Sequence, residues 1–139
     1  MSVRDVIQAH PQPTSLDREA LLRCVTECFD CSAACTSCAD ANLAEPDLQE
    51  LVHCTRLCLD CSDVCVATGR LVTRQTTPDF DLLRASIETC ATSCRVAGTE
   101  CERHAAHHEH CRFCAESCRR CEEACNALLA AIGWPGRAD

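Results

Sequence analysis

Cysteine recurs in this chain at gaps of three and four residues. The first run, CVTECFDCSAACTSC, places thiols at Cys24, Cys28, Cys31, Cys35 and Cys38. Alternating gaps of three and four put residues on one face of an α-helix, whereas a strand would need gaps of two. This run therefore predicts a helix that carries its sulfur atoms on a single face.

The same spacing returns three more times. The later runs are Cys54, Cys58, Cys61 and Cys65, then Cys90, Cys94 and Cys101, and finally Cys111, Cys114, Cys118, Cys121 and Cys125. Four runs predict four long helices, and the short connections between them make neighbouring helices antiparallel. The predicted fold is all-α: an antiparallel up-down-up-down four-helix bundle with a Cys-lined core and a short N-terminal helical extension.

Residues that begin and end helices lie between the runs. Thr14, three residues before Asp17, suggests a capping box, while Pro46 and Pro78 stand where prolines open helices. Gly133 follows the last run and is typical of a helix end. The predicted helices are 15–43, 47–74, 78–105 and 108–132, after a turn of helix at 2–9. The predicted division is an N-terminal extension at 1–14, the bundle domain at 15–132 and a C-terminal tail at 133–139.

Composition narrows the class of protein. Seventeen of the 139 residues are cysteine, a content typical of secreted disulfide scaffolds. An odd number of cysteines cannot pair completely within one chain, and residues 1–20 carry charges throughout without the apolar stretch of a signal peptide. We therefore expect a cytoplasmic protein whose thiols stay reduced unless something binds them.

Charge and hydropathy argue against two kinds of partner. The formal net charge is −8, whereas nucleic acid binding requires a basic face. No apolar run reaches the length that spans a membrane. We expect neither nucleic acid nor membrane as a partner.

The inward stripe of a soluble bundle usually consists of Leu, Ile and Val, but here it consists of cysteine. One or two free cysteines would be explained as small buried hydrophobes. Seventeen of them on four helices need another reason, because cysteine buries less apolar area than leucine and stabilises a core poorly. We therefore infer that the cysteines are there for the chemistry of their thiols and not for packing.

The residues that continue the stripes differ between the two ends of the predicted bundle. Antiparallel pairing brings Cys38, Cys54, Cys101 and Cys111 to one end, and Cys24, Cys65, Cys90 and Cys125 near the other. Beyond the second set lies an apolar plug, here called the closed end: Leu21, Val72, Leu83, Ile87, Leu128 and Leu129. Beyond the first set lie the residues here called the mouth: His104, His107, His108 and His110. These imidazoles are predicted to be ligands, with a solvated histidine loop as the alternative.

The spacing of the thiols indicates the ion. Residues three or four apart on a helix have Cβ atoms about 5–6 Å apart, so two thiolates can hold one ion. Soft thiolates select Cu(I), Zn(II) and iron–sulfur clusters. Cu(I) accepts two or three sulfurs and shares bridging thiolates, whereas Zn(II) prefers four tetrahedral ligands. No cysteine run followed by proline marks an iron–sulfur site. The pattern favours Cu(I).

These features together resemble the bacterial four-helix-bundle copper storage proteins. The resemblance covers residues 15–132 and rests on the inward C-x3-C pairs, the sealed apolar end and the His-rich segment from Gly98 to Cys111. It implies many Cu(I) ions per chain, with all 17 cysteines as ligands, a mouth lined by His104, His107, His108 and His110, and a homotetramer.

Within that family the chain resembles the cytosolic, His-mouth branch, because its only methionine is Met1. One departure from the family pattern is the third run, which lacks a cysteine at Ala97 or Gly98.

Three other interpretations remain open from the residues alone. A thiol-rich zinc buffer would load Zn(II) stably at several ions per chain. A redox protein would use a C-x-x-C pair such as Cys111 and Cys114, with an accessible thiol of low pKa at a helix N-terminus. A bundle stapled by disulfides would resist thiol labelling. We expect storage of copper and no enzymatic activity.

Overall fold

Five α-helices make up the computed structural model, which describes residues 2–133. They are α1 (Val3–Gln8), α2 (Arg18–Leu43), α3 (Val52–Thr73), α4 (Phe80–His104) and α5 (Glu109–Ile132). A 3-10 turn, Leu48–Leu51, leads into α3. The predicted all-α fold with four long helices and a short N-terminal helix is confirmed. The predicted tail begins at Gly133, and its remainder, including Pro135, lies outside the described residues.

Contacts between side chains define the direction of each helix. Cys38 faces Cys111 and Cys24 faces Cys125, so α2 and α5 run antiparallel. The side chains of Ser32 and Ser62 share a hydrogen bond, and the side chain of Asn42 donates one to that of Thr55. Helices α2 and α3 are therefore antiparallel as well. Helix α4 packs between α3 and α5. The four long helices thus enclose one interior, and every connection joins neighbours.

The start of α2 differs from the prediction. Thr14 does not cap this helix; the side chain of Asp17 does, by accepting a hydrogen bond from the backbone N–H of Ala20 at 2.8 Å. The Thr14 hydroxyl instead donates to the side-chain oxygen of Gln75 at 2.7 Å. The capping box was therefore wrong: Asp17 takes the N-cap position itself, and α2 begins at Arg18 rather than at residue 15.

Two later helices also begin beyond their prolines. After Pro46 the chain makes the 3-10 turn, so α3 begins at Val52 rather than at residue 47. After Pro78 the side chain of Asp79 accepts from the backbone N–H of Leu82 at 2.9 Å, and this cap begins α4 at Phe80. In both places proline lies in the connection and not in the first turn of the helix.

The closed end is a compact aliphatic layer. Leu21, Val72, Ile87 and Leu128 are fully buried, Leu83 is 3% exposed, and Leu129 packs against them half-buried. Val3 and Ile7 of α1 pack against the same core. The N-terminal extension therefore covers the closed end, and the Thr14–Gln75 hydrogen bond ties it to the turn after α3.

Among residues 2–133, no helix combines the length and the apolar character that crossing a membrane requires.

Candidate metal centre

All 17 cysteines face the interior as free thiols. None is more than 2% exposed, and each Sγ atom lies within 4.0 Å of the Sγ atom of another cysteine. The structure therefore gives no support to a bundle stapled by disulfides. The 3.6-residue helical period explains the arrangement, because gaps of three and four keep every thiol on the buried face.

The thiols stack in levels along the bundle. At the mouth, Cys38 and Cys111 have their Sγ atoms 3.9 Å apart, and Cys54 and Cys101 have theirs 3.8 Å apart. Near the closed end, the separations are 4.0 Å for Cys24 and Cys125 and 3.7 Å for Cys65 and Cys90. The sequence assigned these eight cysteines to the same two ends.

Sulfur atoms gather into groups whose ligand atoms all lie within 4.8 Å of one another. The groups include Cys28, Cys90, Cys121 and Cys125; Cys31, Cys65, Cys94 and Cys121; Cys31, Cys35, Cys61 and Cys118; Cys38, Cys58, Cys101 and Cys114; and Cys38, Cys111 and His110. Cys31, Cys38 and Cys121 each belong to two groups. The interior is therefore a row of adjoining sites that share ligands.

The missing cysteine of α4 leaves a local gap in this row. The group Cys31, Cys35, Cys61 and Cys118 draws on α2, α3 and α5 but not on α4. At that level α4 presents Ala97, which is 1% exposed, and Gly98. A Cβ atom at Gly98 would lie 3.2 Å from the Cβ of Cys118, so the glycine lets α4 approach α5 closely. Three helices instead of four contribute sulfur atoms to this group.

Burial favours the protonated form of the thiols when no metal is bound. The pKa of Cys28 is raised by hydrogen bonds with Cys121 and other thiols, and also by burial. The pKa of Cys101 is raised by the same two causes, with Cys114 as its main hydrogen-bond partner. Burial acts in this direction on every interior thiol because a thiolate without a cation is poorly solvated there. Binding a metal must therefore release protons.

Cys111 does not fit a redox site. It is fully buried, and its hydrogen bond with Cys38 raises its pKa. A redox cysteine needs the opposite, an accessible thiol with a lowered pKa. The C-x-x-C pair of Cys111 and Cys114 is part of the continuous thiol stripe.

His110 is the mouth histidine that lies against the thiols. Its Nδ1 is 3.4 Å from the Sγ of Cys38 and 3.6 Å from the Sγ of Cys111. Its Nε2 points the other way and lies 2.9 Å from a carboxylate oxygen of Glu45. Burial lowers the pKa of His110, but its bonds to Cys38 and Glu45 outweigh burial and raise it. One nitrogen thus faces two thiols and the other faces an acceptor.

The other three histidines of the mouth are placed differently. Nε2 of His104 lies at hydrogen-bond distance, 3.0 Å, from a carboxylate oxygen of Glu100. His108 contacts Glu45 through Nδ1 and Asp47 through Nε2, and the hydrogen bond to Asp47 is the main cause of its raised pKa. His107 is exposed. The sequence predicted all four as ligands, with the family resemblance fitting His104, His108 and His110 better than His107, whereas the structure brings His110 within reach of two thiols.

The carboxylates behind the imidazoles were missed at the sequence level. Glu45 and Asp47 lie in the connection between α2 and α3, which stands at the same end of the bundle as the α4–α5 connection. Glu100 could have been found, since it precedes His104 by four residues and shares its helix face. Buried Asn42 was also missed: its side-chain oxygen accepts from the Cys111 thiol at 3.7 Å.

Comparison with known families settles the relationship. The family described as copper storage protein matches residues 17–130, which is nearly the whole bundle. The chain belongs to the copper storage protein family.

Solved members of this family have the same fold. The copper storage protein Ccsp from Streptomyces lividans, loaded with 10 copper equivalents, is 49% identical, with a TM-score of 0.91 over 94% of this chain and 99% of that one. A form of the same cytosolic protein with five coppers is 52% identical, with a TM-score of 0.81 over 83% and 96% of the two chains. A variant with one histidine replaced by alanine is 52% identical, with a TM-score of 0.84 over 85% and 98%. No curated protein matches the chain.

Proposed function

We propose that this member of the copper storage family holds Cu(I) at high capacity in the cytoplasm, with thiolates of all 17 cysteines as ligands. The observation that carries the proposal is the row of adjoining sulfur groups between the mouth and the closed end. His104, His107, His108 and His110 line the mouth through which copper passes. Residues 15–132 form the storage domain, with 1–14 and 133–139 as extensions.

The chemistry of the ligands supports Cu(I). Soft thiolates prefer a soft ion, and a buried thiolate needs a positive charge beside it. One monovalent ion per thiolate would leave the filled interior near neutrality. A cysteine that belongs to two groups, such as Cys31 or Cys121, suits an ion that accepts bridging thiolates.

The cytoplasmic location and the assembly are also proposals. The Streptomyces lividans protein of known structure is a cytosolic copper storage protein, and its identity to this chain of about one half supports the same location. A homotetramer is proposed from the family resemblance. Size-exclusion chromatography with light scattering on apo and loaded protein tests it, and a monomer in both states would contradict it.

An anaerobic titration tests the storage function. Reduced apoprotein is titrated with Cu(I) in the presence of a competing Cu(I) chelator, and bound copper is compared with the 17 thiols. We expect about one ion per thiol, with one proton released for each thiolate formed. Saturation at one or two ions would overturn the proposal.

Zinc buffering is the second candidate, and the groups of four cysteines favour it. Four ligands at a Zn–S distance of about 2.3 Å around a tetrahedral ion lie about 3.8 Å apart. The Sγ atoms of Cys61 and Cys94 and those of Cys65 and Cys94 have this spacing, at 3.8 and 3.7 Å. A competition with equal Zn(II) and Cu(I) separates the two functions: a storage protein for copper releases its zinc.

A further inference from the structure

Three histidines of the mouth share one arrangement: each has its Nε2 beside a carboxylate. The pairs are His104 with Glu100 at 3.0 Å, His108 with Asp47 at 2.9 Å, and His110 with Glu45 at 2.9 Å. Glu45 and Asp47 come from the α2–α3 connection and Glu100 from α4, and the same contact is made three times. This repeated contact raises the question of how a carboxylate affects the imidazole beside it.

An ionised carboxylate can only accept hydrogen bonds. Where it faces Nε2, that nitrogen must carry the hydrogen, and in a neutral imidazole Nδ1 is then left with a free lone pair. For His110 that lone pair points toward the Sγ atoms of Cys38 and Cys111, at 3.4 and 3.6 Å. His108 is different, because its Nδ1 also contacts Glu45. His110 is thus the mouth histidine whose free nitrogen is shown to face sulfur.

We propose that Glu45 is a positioning residue for copper uptake: it holds His110 in the Nε2–H tautomer and aims Nδ1 at the site formed with Cys38 and Cys111. The inference rests on the proposed storage of copper. When Cu(I) binds there, Nδ1 donates its lone pair, the two thiols lose their protons to water, and the Nε2–H···Glu45 bond stays intact. No electron is transferred.

The carboxylate also makes the imidazole a better ligand. A histidine that donates its second N–H to a carboxylate is fixed in orientation and is more basic at the metal, and loss of such a partner costs about 10- to 100-fold in affinity or activity. Glu45 is itself held in place, because its carboxylate contacts Nε2 of His110 and Nδ1 of His108. The pair is preorganised before copper arrives.

A purely electrostatic role is the competing explanation. The carboxylates near this end, among them Glu45, Asp47 and Glu100, could attract a cation without any effect on the tautomer, and Glu45 would then act by charge alone. Asp40 provides the matched control, since it lies exposed on the last turns of α2, two residues after Cys38. Asp40→Asn removes the same charge as Glu45→Gln. Glu45→Gln keeps an oxygen that can accept from Nε2–H, whereas Glu45→Ala does not.

The first experiment reads the tautomer directly in copper-free protein. Long-range ¹H–¹⁵N spectra of the imidazoles are recorded at a pH where the ring of His110 is neutral, with His110→Ala used for assignment. We expect the Nε2–H form in the wild type, the same form in Glu45→Gln and Asp40→Asn, and a mixture with Nδ1–H in Glu45→Ala. The Nε2–H form alone in Glu45→Ala would overturn the proposal.

The second experiment measures the rate of Cu(I) transfer from a chelator, by stopped flow. Glu45→Ala should slow the first phase about 10-fold, Glu45→Gln less, and Asp40→Asn hardly at all, with the final copper capacity unchanged in each. In a His110→Ala background, Glu45→Ala should have no further effect. Equal slowing by Glu45→Ala and Asp40→Asn, or an undiminished effect without His110, would contradict positioning. Low capacity in the wild type would instead refute storage, while the tautomer result would still stand.

Discussion

At the closed end the thiol stripes stop against Leu21, Ile87 and Leu128, all fully buried, whereas at the mouth they stop against imidazoles backed by carboxylates. The closed end is a layer of aliphatic side chains, and α1 covers it. At the mouth, His110 reaches both Cys38 and Glu45. The two ends of the bundle therefore differ in the chemistry of the side chains that close them.

The difference follows from what cysteine cannot supply. A thiol buries less apolar surface than a leucine, so an interior of cysteines yields less stability per residue. We therefore expect the aliphatic layer to contribute more stability per residue, and the proposed entry for copper lies at the end where the polar groups are. We expect substitutions at the closed end to change folding and those at the mouth to change copper uptake.

The largest expected effect is at the closed end. Ile87→Ala should lower the free energy of unfolding of the apoprotein by about 2–5 kcal/mol, because it removes a fully buried side chain and leaves a cavity. Urea denaturation measures the change. Leu59→Ala, at a side chain that is 47% exposed, should stay within about 0.5 kcal/mol of the wild type. A similar loss in both would show that the aliphatic layer is not special.

A pair of double variants compares the two ends directly. Cys38→Ser with Cys111→Ser, and Cys24→Ser with Cys125→Ser, each remove two thiols, so each should lower capacity by about two ions. Only the mouth pair should slow the first phase of uptake from a chelator, by about 10-fold. Equal slowing by the closed-end pair would mean that copper also enters there.

The gap on α4 offers a smaller test, between the two ends. Ala97→Cys should raise capacity by about one ion, since it adds a thiol at a buried position beside an existing group. Gly98→Ala is the control: its new Cβ would lie 3.2 Å from that of Cys118, so it should destabilise the apoprotein by about 1 kcal/mol without adding copper. Copper analysis at saturation distinguishes them. Unchanged capacity in folded Ala97→Cys would place residue 97 outside the row of sites.

The smallest effect is a pH dependence confined to the mouth. The pKa of His108 is raised above its ordinary 6.5, so its stabilising contact is complete below about pH 6.5 and is lost as the pH rises through the folded value. The pKa of Asp47 is lowered below 3.8, so its contribution is present above that and is lost as the pH falls through the lower folded value.

Asp47→Asn should therefore lower the melting temperature of the apoprotein most between about pH 4 and 6.5, and less at higher pH. Thermal unfolding followed by circular dichroism measures the difference from the wild type across this range. Asp40→Asn should show no such window. A difference that persists unchanged above pH 8 would mean that the His108 contact does not depend on its charge.

Local periodicity explains why the thiol interior was predictable. Each cysteine's face depends only on spacing along its own helix, and the levels follow once short connections make neighbours antiparallel. These two facts were enough to predict the contacts of Cys38 with Cys111 and of Cys24 with Cys125.

Contacts distant in the sequence were not predictable in the same way. Thr14 and Asp17 both looked like parts of one cap, and the choice depended on Gln75, 61 residues from Thr14. The bond between Glu45 and His110 joins residues 65 apart, one in the α2–α3 connection and the other in the first turn of α5. No periodic pattern relates such residues, so the sequence located the mouth but not the carboxylates that orient its imidazoles.

Sharing of cysteines between groups has a consequence for how copper travels inside the protein. Cys121 belongs both to the group with Cys28 and Cys125 and to the group with Cys94, and Cys31 belongs to that second group and to the next one. If copper is held as proposed, an ion could pass between neighbouring groups by exchanging one sulfur for another while a shared thiolate keeps it bound. Stored ions would then change places among the cysteines inside the bundle without leaving it, while the helices around them keep their positions.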